Sequence, residues 1–324
     1  STKVFYICAM AKKVQKSQFR FRPILWVNYV FIVLLLLTNL STAVAPDLFW
    51  PISILAFGFP VLLIFNFLFF VLWLLLWKRY MFYSLLVMLM SYALILDHIQ
   101  FFNESTSADS QVSSIAIMSF NARNLSNNNL SYGDKLIRNE IVEYVESQNA
   151  DLICFQEFQS YPTKGVNSVE DYKKKLQRPH VFSAPYLKKN NHEFLDLLVM
   201  YSKYPIKDSK TFYMDGKIYG FYVDIEIEKK MIRLFNLHLE SNHFNKNDYE
   251  IFSDKEVNLN QKKRNQVVLL IHKLKKYSVK RSYQARTIRM EIEDSPFPVI
   301  VAGDFNDTPA SYTYQHIRQD LLDA

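Results

Sequence analysis

The feature that most constrains this chain is a series of long apolar stretches without charge near its N-terminus. The first runs from Pro23 to about Ala45, the second from Leu48 to Trp77, and the third from Tyr80 to Leu96. A helix needs about 20 apolar residues to cross the hydrocarbon core of a bilayer. The stretches therefore predict a membrane domain of three transmembrane helices over residues 23–102. A cleaved signal peptide is the alternative for the first stretch, but its length and the stretches that follow it favour a membrane span.

Basic residues predict how these helices are oriented. Residues 1–22 contain six of them, the loop 39–49 contains none, and Lys78 and Arg79 mark the turn between the second and third stretches. Cytoplasmic segments carry the excess of Lys and Arg. We therefore expect a multi-pass protein of the inner (cell) membrane of a bacterium, with a cytoplasmic N-terminus and an extracytoplasmic C-terminal domain. Four tryptophans near the predicted span ends are expected to be headgroup anchors: Trp26, Trp50, Trp73 and Trp77.

The charge of the chain is distributed unevenly. The formal net charge is +7, but eight of the 38 basic and only two of the 31 acidic residues lie in the first 98 positions. The remainder is nearly neutral, which lowers the expectation of a surface that binds duplex nucleic acid. Residues 103–114 are polar without periodicity and predict a linker to a second domain over residues 115–324. The two cysteines imply no disulfide framework.

Polar residues follow two apolar runs at the start of this second domain. Asn121 follows the run 114–120, and Glu157 ends the run that begins at Asp151. Between them, residues 134–148 place apolar side chains on one helical face. A strand, a helix and a second strand in this order imply parallel neighbours in a sheet. Asn121 and Glu157 are therefore expected at the same sheet edge, where open α/β sheets bind ligands.

Two later strands repeat this arrangement. The run 231–237 is predicted to pair as a hairpin with 221–227 and is followed by His238, and the run 298–302 is followed by Gly-Asp-Phe-Asn, which contains Asp304 and Asn306. Each of these polar residues alone is explained best as a cap of the strand end or as an ordinary hydrogen-bond partner within the fold. Together they form a set that suits a hard cation and a phosphate.

Four motifs in this domain resemble the successive signatures of the endonuclease/exonuclease/phosphatase family. They are Met-Ser-Phe-Asn-Ala-Arg-Asn-Leu at 118–125, Asp-Leu-Ile-Cys-Phe-Gln-Glu at 151–157, Leu-His-Leu-Glu-Ser at 237–241 and Val-Ala-Gly-Asp-Phe-Asn-Asp-Thr-Pro at 301–309. The resemblance implies an α/β four-layered sandwich of the deoxyribonuclease I type behind the N-terminal α-helical transmembrane bundle. It also implies a phosphoesterase that uses Mg²⁺ or Mn²⁺.

The resemblance also implies a role for each motif residue. Glu157 matches the glutamate that binds the metal, and Asn121 beside it orients metal and phosphate. Asp304 and Asn306 match the pair that positions the attacking water and holds a phosphate oxygen. His238 matches a histidine that serves acid/base chemistry. Arg123 matches a cationic residue that can lie near the phosphate.

The last two motifs of the family are not found at the C-terminal end of this sequence. The family normally finishes with a strand bearing Arg-Ile-Asp-Tyr and then Ser-Asp-His, and the sequence reaches Ala324 before either motif. Residues 115–324 therefore lack the family's last strands and a catalytic aspartate–histidine pair. We expect a longer chain to supply them, because an incomplete sheet would leave an unpaired edge; otherwise activity would be lost. A further segment, residues 256–293, predicts a long amphipathic helix whose basic residues are explained best by a solvated face.

Three functions agree with these features. The first is hydrolysis of a phosphodiester or phosphomonoester, in a lipid headgroup or a nucleotide, at the outer face of the membrane, with membrane lipids as partners. The second is an extracytoplasmic nuclease, which the neutral domain disfavours. The third is a non-catalytic subunit that uses the fold as a docking module in a membrane-protein complex. Fold analogy alone does not choose among them.

Overall fold

A computed structural model describes most of the chain and divides it into two compact units. The described residues are 2–99, 114–123, 135–160, 168–185, 195–242, 244 and 261–323. One unit, here called the membrane unit, comprises residues 1–103 and 307–324, and the other, the α/β unit, comprises residues 104–306. The predicted linker lies outside the described residues except for its last residue, Ser114.

Helices form the membrane unit. Those of its N-terminal part are α1 (Thr2–Leu40), α2 (Pro46–Phe49), α3 (Pro51–Leu75), α4 (Met81–Met90) and α5 (Tyr92–His98). By length and composition, residues 21–40 of α1 and the whole of α3 could cross a membrane. Both are uncharged except for Arg22 near the start of the first. The first two predicted spans therefore correspond to helices of sufficient length.

The third predicted span is not one straight helix. Helices α4 and α5 are bent by 63° relative to each other, so the pair counts as a further span only if the two are taken together. Ser91 lies at the break, where its hydroxyl donates to the carbonyl of Val87 over 3.0 Å and accepts from Nδ2 of Asn39 over 2.8 Å. A serine that bonds back to the preceding turn bends a helix. The third predicted span is therefore a broken helix, and its crossing of the membrane stays a prediction.

Polar side chains join the helices of the membrane unit. Asn28 on α1 accepts from the indole nitrogen of Trp73 on α3 over 2.8 Å and donates to the hydroxyl of Ser84 on α4 over 2.9 Å. All three side chains are buried. Hydrogen bonds between polar side chains are among the contacts that join packed apolar helices. Trp73 is therefore an interior residue, and its prediction as a headgroup anchor was wrong.

Two four-stranded sheets form the centre of the α/β unit. Sheet A has the order β1-β2-β4-β3, and sheet B has the order β5-β6-β7-β8. The strands of sheet A are β1 (Ile117–Asn121), β2 (Leu152–Ser160), β3 (His180–Pro185) and β4 (Leu195–Ser202), and those of sheet B are β5 (Ile206–Met214), β6 (Lys217–Ile227), β7 (Lys230–His238) and β8 (Val299–Asp304). The pairs β1–β2 and β7–β8 are parallel and the others antiparallel. The predicted parallel pair and the predicted hairpin are both confirmed.

The two sheets pack face to face between helices. Buried side chains from both sheets form one core, for example Cys154 and Met200 of sheet A with Phe221 and Val223 of sheet B. Outside sheet A lie α6 (Lys135–Ser147) and α7 (Val169–Lys175), which share a second core with it. Strand β6 is buried along nearly its whole length, as expected for a strand covered on both faces.

Helix α8 (Gln261–Glu293) is the long amphipathic helix that the sequence predicts over residues 256–293. It buries Ala285, Ile288 and Ile292 and is tied to strand β5 by an ion pair of 2.6 Å between Lys210 and Glu291. The layers therefore run helix, sheet, sheet, helix. This arrangement confirms the predicted four-layered α/β sandwich.

Candidate active site

The polar residues at the strand ends come together, as the parallel pairing predicts. The side-chain amide of Asn121, at the end of β1, donates to Oε1 of Glu157 over 3.2 Å and to Oδ2 of Asp304 over 2.9 Å. Glu157 belongs to β2, and Asp304 ends β8. One amide thus joins a carboxylate from sheet A to a carboxylate from sheet B. The site therefore spans the edges of both sheets.

Glu157 lies at an irregularity within β2. The strand continues to Ser160, three residues beyond the end that the sequence predicts, and its pairing with β4 shifts register between Phe155 and Phe158. Glu157 has a positive φ of 49°. A bulge inserts an extra residue that re-aims a side chain, and a left-handed backbone at a residue other than glycine costs about 1–3 kcal/mol. One such left-handed position therefore falls on the residue predicted to bind the metal.

His238 lies beside this carboxylate at the end of β7. Its Nε2 is 3.4 Å from Oε1 of Glu157, and its side chain is only 12% exposed. In the parallel β7–β8 pair, His238 is the register partner of Asp304. The close contact with His238 is the main cause that lowers the pKa of Glu157; burial opposes the lowering, and the Asn121 amide adds to it. Glu157 is therefore held ionised.

The loop after β8 folds back on itself and on the end of β7. The backbone N–H of Asn306 donates to Oδ1 of Asp304 over 2.8 Å, and its side-chain amide donates to the carbonyl of Leu239 over 3.0 Å. Asn306 has a φ of 52° and Gly303 a φ of 141°. A Cβ on Gly303 would lie 2.1 Å from the carbonyl oxygen of Leu237, so only glycine fits there. These contacts fix the backbone of the loop directly after Asp304.

Arg123 lies at the rim of the site. Its backbone N–H donates to Oδ1 of Asn121 over 3.0 Å, and the residue is exposed with a φ of 45°. Its charge contributes to the lowered pKa of Glu157. The structure thus brings together the six residues that the sequence predicts for the site: Asn121, Arg123, Glu157, His238, Asp304 and Asn306.

Two buried amides behind the site escaped the sequence analysis. Nε2 of Gln156 donates to Oδ1 of Asn236 over 2.7 Å, and Nδ2 of Asn236 donates to the carbonyls of Phe155 and Val199 over 3.2 and 3.1 Å. Both side chains are almost completely buried. They join β2 to β7 next to the site, since Gln156 directly precedes Glu157 and Asn236 lies two residues before His238. An amide inside an otherwise apolar strand was the available signal, because a buried amide needs partners.

Helix α8 supports the segment that follows His238. Nη1 of Arg281 donates to the carbonyl of Glu240 and to Oδ1 of Asn242, both over 2.9 Å, and Oε1 of Gln284 accepts from the backbone N–H of Glu240 over 3.0 Å. Arg281 and Gln284 are buried. The sequence pattern predicts that the charges of this helix lie on a solvated face. For Arg281 that interpretation was wrong, because the guanidinium binds inside the fold.

The donors at the site suit a hard divalent cation. Within the described ranges, no group of three or more His, Cys, Asp or Glu side chains is close enough to hold a metal by itself. However, Mg²⁺ keeps several waters and is bound through one or two carboxylates. Glu157 and Asp304 supply two carboxylates joined by one amide. The residues present therefore fit a hydrated ion held mainly by Glu157, with Asn121 orienting that carboxylate.

Comparison with known families agrees with this site. The model of the "Endonuclease/Exonuclease/phosphatase family" matches residues 118–324. The chain belongs to the endonuclease/exonuclease/phosphatase family. Proteins of this family are hydrolases, and they generally use a divalent metal. A second model, described as a domain of unknown function (DUF8431), matches residues 21–98, the apolar helices. Comparison with curated proteins gave no match.

Solved structures of the family resemble the chain at low identity. A humanised TDP2 from D. rerio is 18% identical, with a TM-score of 0.37 and coverage of 59% of this chain and 62% of that one. A family protein from Beutenbergia cavernae is 13% identical, with a TM-score of 0.42 and coverage of 61% and 50%. Sphingomyelinase C from Streptomyces griseocarneus is 16% identical, with a TM-score of 0.39 and coverage of 64% and 68%. The chain thus spans half to about two thirds of their lengths.

Proposed function

We propose that this protein is a membrane-anchored, Mg²⁺-dependent phosphoesterase. The observation that carries the proposal is the amide of Asn121 joining Glu157 to Asp304, with His238 at 3.4 Å from Glu157. Two carboxylates, an amide and an imidazole at one sheet edge provide ligands for a hard cation and a group that can move a proton. We propose Mg²⁺ as the metal and Mn²⁺ as its substitute.

Each residue has a task in this reaction. Asp304 orients the attacking water, while Asn306 and Arg123 hold oxygens of the substrate phosphate. His238 moves a proton at its imidazole nitrogen, because histidine exchanges protons readily near neutral pH. Asn121 keeps the carboxylates of Glu157 and Asp304 in place. When bound at Glu157, the cation supplies charge neutralisation for the phosphate.

The substrate class follows from the anchor and the charge. Anchoring by several helices suits an enzyme whose substrate lies in the bilayer, and the nearly neutral second domain does not favour a long polyanion. We therefore propose a phosphate ester in a lipid headgroup as the first substrate class and a nucleotide as the second. We place the protein in the inner membrane of a bacterium, with the α/β unit on the extracytoplasmic side, because the basic residues precede the first span.

The test is product release from a substrate panel by the purified full chain in lipid nanodiscs. The panel contains phospholipids, a generic phosphodiester, a nucleotide, and single- and double-stranded DNA, each with Mg²⁺ and with EDTA. Glu157→Ala and His238→Ala are compared with the wild type. Matched controls are Glu170→Ala and His272→Ala, which replace exposed residues of the same types.

The outcomes separate the three functions. Turnover of phospholipids that EDTA and both site variants abolish, with both controls active, supports the proposed reaction. Turnover of DNA alone, with binding that weakens steeply with salt, assigns a nuclease instead. If the folded wild type releases no product from any substrate but copurifies with a stable partner, the chain is a docking module.

A further inference from the structure

The loop after β8 that carries Asp304 and Asn306 is here called the catalytic loop, and the segment that follows it belongs to the membrane unit. Asn306 is the last residue of the α/β unit, and the membrane unit resumes at Asp307. Thr308 is two residues beyond Asn306, so covalent geometry keeps their Cα atoms within about 7 Å of each other. Whatever holds residues 307–318 in place therefore restrains the end of the loop that carries Asp304 and Asn306.

Three sets of contacts hold this segment on the helices. The hydroxyl of Ser41 donates to the carbonyl of Ala310 over 2.7 Å, and the hydroxyl of Thr308 donates to the carbonyl of Ala56 over 3.3 Å. Ala310 is fully buried and packs in the apolar core of the bundle. The third set joins the side chain of Asp97 to those of Gln315 and Arg318.

Asp97 accepts from two side chains of the helix after the loop, α9 (Tyr312–Arg318). Its Oδ1 accepts from Nη1 of Arg318 over 2.6 Å, and its Oδ2 accepts from Nε2 of Gln315 over 2.7 Å. The carboxylate is only 9% exposed. Both of its oxygens are therefore engaged by one short helix, and an ion pair shielded from water is screened little by salt.

These contacts come from one end of the bundle. Ser41 follows the last residue of α1, Ala56 lies in the second turn of α3, and Asp97 is the next-to-last residue of α5. Asp97 is also one of two acidic residues in the first 98 positions, and the other, Asp47, is exposed. A lone shielded carboxylate at a helix end is costly unless it is paired, so its pairing with α9 fixes where that helix docks.

We propose that Asp97 is a positioning residue for the reaction: through Arg318 and Gln315 it holds residues 307–318 on the bundle and so fixes the C-terminal end of the catalytic loop. This proposal rests on the proposed phosphoesterase function. Misplacement of a catalytic group by about 1 Å costs up to about a hundredfold in rate, so loss of this contact is expected to slow turnover.

The test uses the full chain in lipid nanodiscs and has two readouts. Asp97→Asn removes the charge, Arg318→Lys keeps a cation without the forked geometry, and Asp47→Asn is the matched control. We expect Asp97→Asn to speed hydrogen exchange in residues 307–318 but not in β7, and to lower kcat about tenfold while KM changes less than twofold. Arg318→Lys is expected to lose part of kcat, and Asp47→Asn to match the wild type in both readouts.

Each result decides a part of the proposal. Unchanged exchange in Asp97→Asn shows that Asp97 does not hold the segment, and faster exchange with unchanged kcat shows that the segment does not position the loop; either overturns the proposal. If Asp97→Asn does not fold, Arg318→Lys decides in the same way. If the wild type hydrolyses no phosphate ester, both the proposed function and the catalytic role of Asp97 are wrong. Hydrogen exchange in residues 307–318 then still shows whether Asp97 holds this segment on the helices.

Discussion

Glu157 concentrates the features expected of a metal ligand. It combines a left-handed backbone, an amide donor from Asn121 and an imidazole neighbour in His238. A structural carboxylate on a strand needs none of the three. Local backbone strain persists only where the surrounding structure enforces it, and such residues cluster at functional sites. The predictions at the residue scale therefore concern Glu157 and its neighbours.

Replacing the carboxylate of Glu157 by an amide should weaken metal binding more than it weakens the fold. In Glu157→Gln, we expect the Mn²⁺ dissociation constant to rise at least about a hundredfold, because loss of a residue that only orients a ligand already costs about 10–100-fold. The apparent Tm without metal should change by only a few degrees. Isothermal titration with Mn²⁺ measures the first and a thermal melt the second. Glu170→Gln serves as control, and equal Mn²⁺ affinity in all three proteins would contradict the metal assignment.

The pH dependence of metal binding should follow Glu157. Its pKa is lowered below the ordinary value, chiefly by the close contact with His238. Stabilisation from the ionised carboxylate is thus fully present above the unfolded pKa and is lost as pH falls through the lower folded pKa. In His238→Ala, the pKa of Glu157 should rise, and the acid limb of Mn²⁺ binding should move to higher pH. An acid limb at the same pH in His238→Ala and wild type would show that His238 does not set this pKa.

At the scale of elements, the two sheets are joined by hydrogen bonds as well as by apolar packing. The Gln156–Asn236 pair connects β2 to β7, and Asn236 also satisfies two backbone carbonyls of sheet A. In the membrane unit, Asn28 joins α1 to α3 and α4 in the same manner. In both units, a buried amide with more than one partner fixes the registration of neighbouring elements, because an unmatched polar group in the interior is costly.

Asn236→Leu should destabilise the α/β unit by more than its change in volume explains. The substitution removes the shortest acceptor of the Gln156 amide and the amide donor to the carbonyls of Phe155 and Val199. Each buried polar group left unsatisfied costs about 1–3 kcal/mol. We expect the free energy of unfolding to fall by about 3 kcal/mol or more, measured by chemical denaturation of the full chain in micelles. Asn265→Leu, on the exposed face of α8, is the control. A loss no larger than the control's would mean that apolar packing alone joins the sheets.

At the scale of the whole molecule, the proposed orientation places the α/β unit outside the cytoplasm. In a Cys8→Ser background, Val268→Cys on α8 should react with a membrane-impermeant thiol reagent in intact cells, because Val268 is 52% exposed. Arg79→Cys, in the exposed turn between α3 and α4, should react only after the cells are opened. The remaining cysteine, Cys154, is buried and serves as the unreactive background. The reverse labelling pattern would place the α/β unit in the cytoplasm.

Sequence alone determined the elements whose signals are local. Apolar length predicts α1 and α3, because crossing a bilayer requires a set number of uncharged residues. Strand ends followed by polar residues predict the convergence of Asn121, Glu157, His238 and Asp304, because parallel neighbours bring equivalent ends to one edge. The order of the four motifs predicts the family.

Tertiary structure decided the features that depend on distant partners. The bend at Ser91 involves Asn39 of another helix, and the burial of Trp73 depends on Asn28. The bulge at Glu157 is set by pairing of β2 with β4, and residues 307–318 join the membrane unit through bonds to side chains more than 200 positions away. A hydrogen bond between residues so far apart leaves no periodicity in the sequence near either one. Sequence patterns therefore predict which residues form the site, whereas long-range hydrogen bonds determine how they are held.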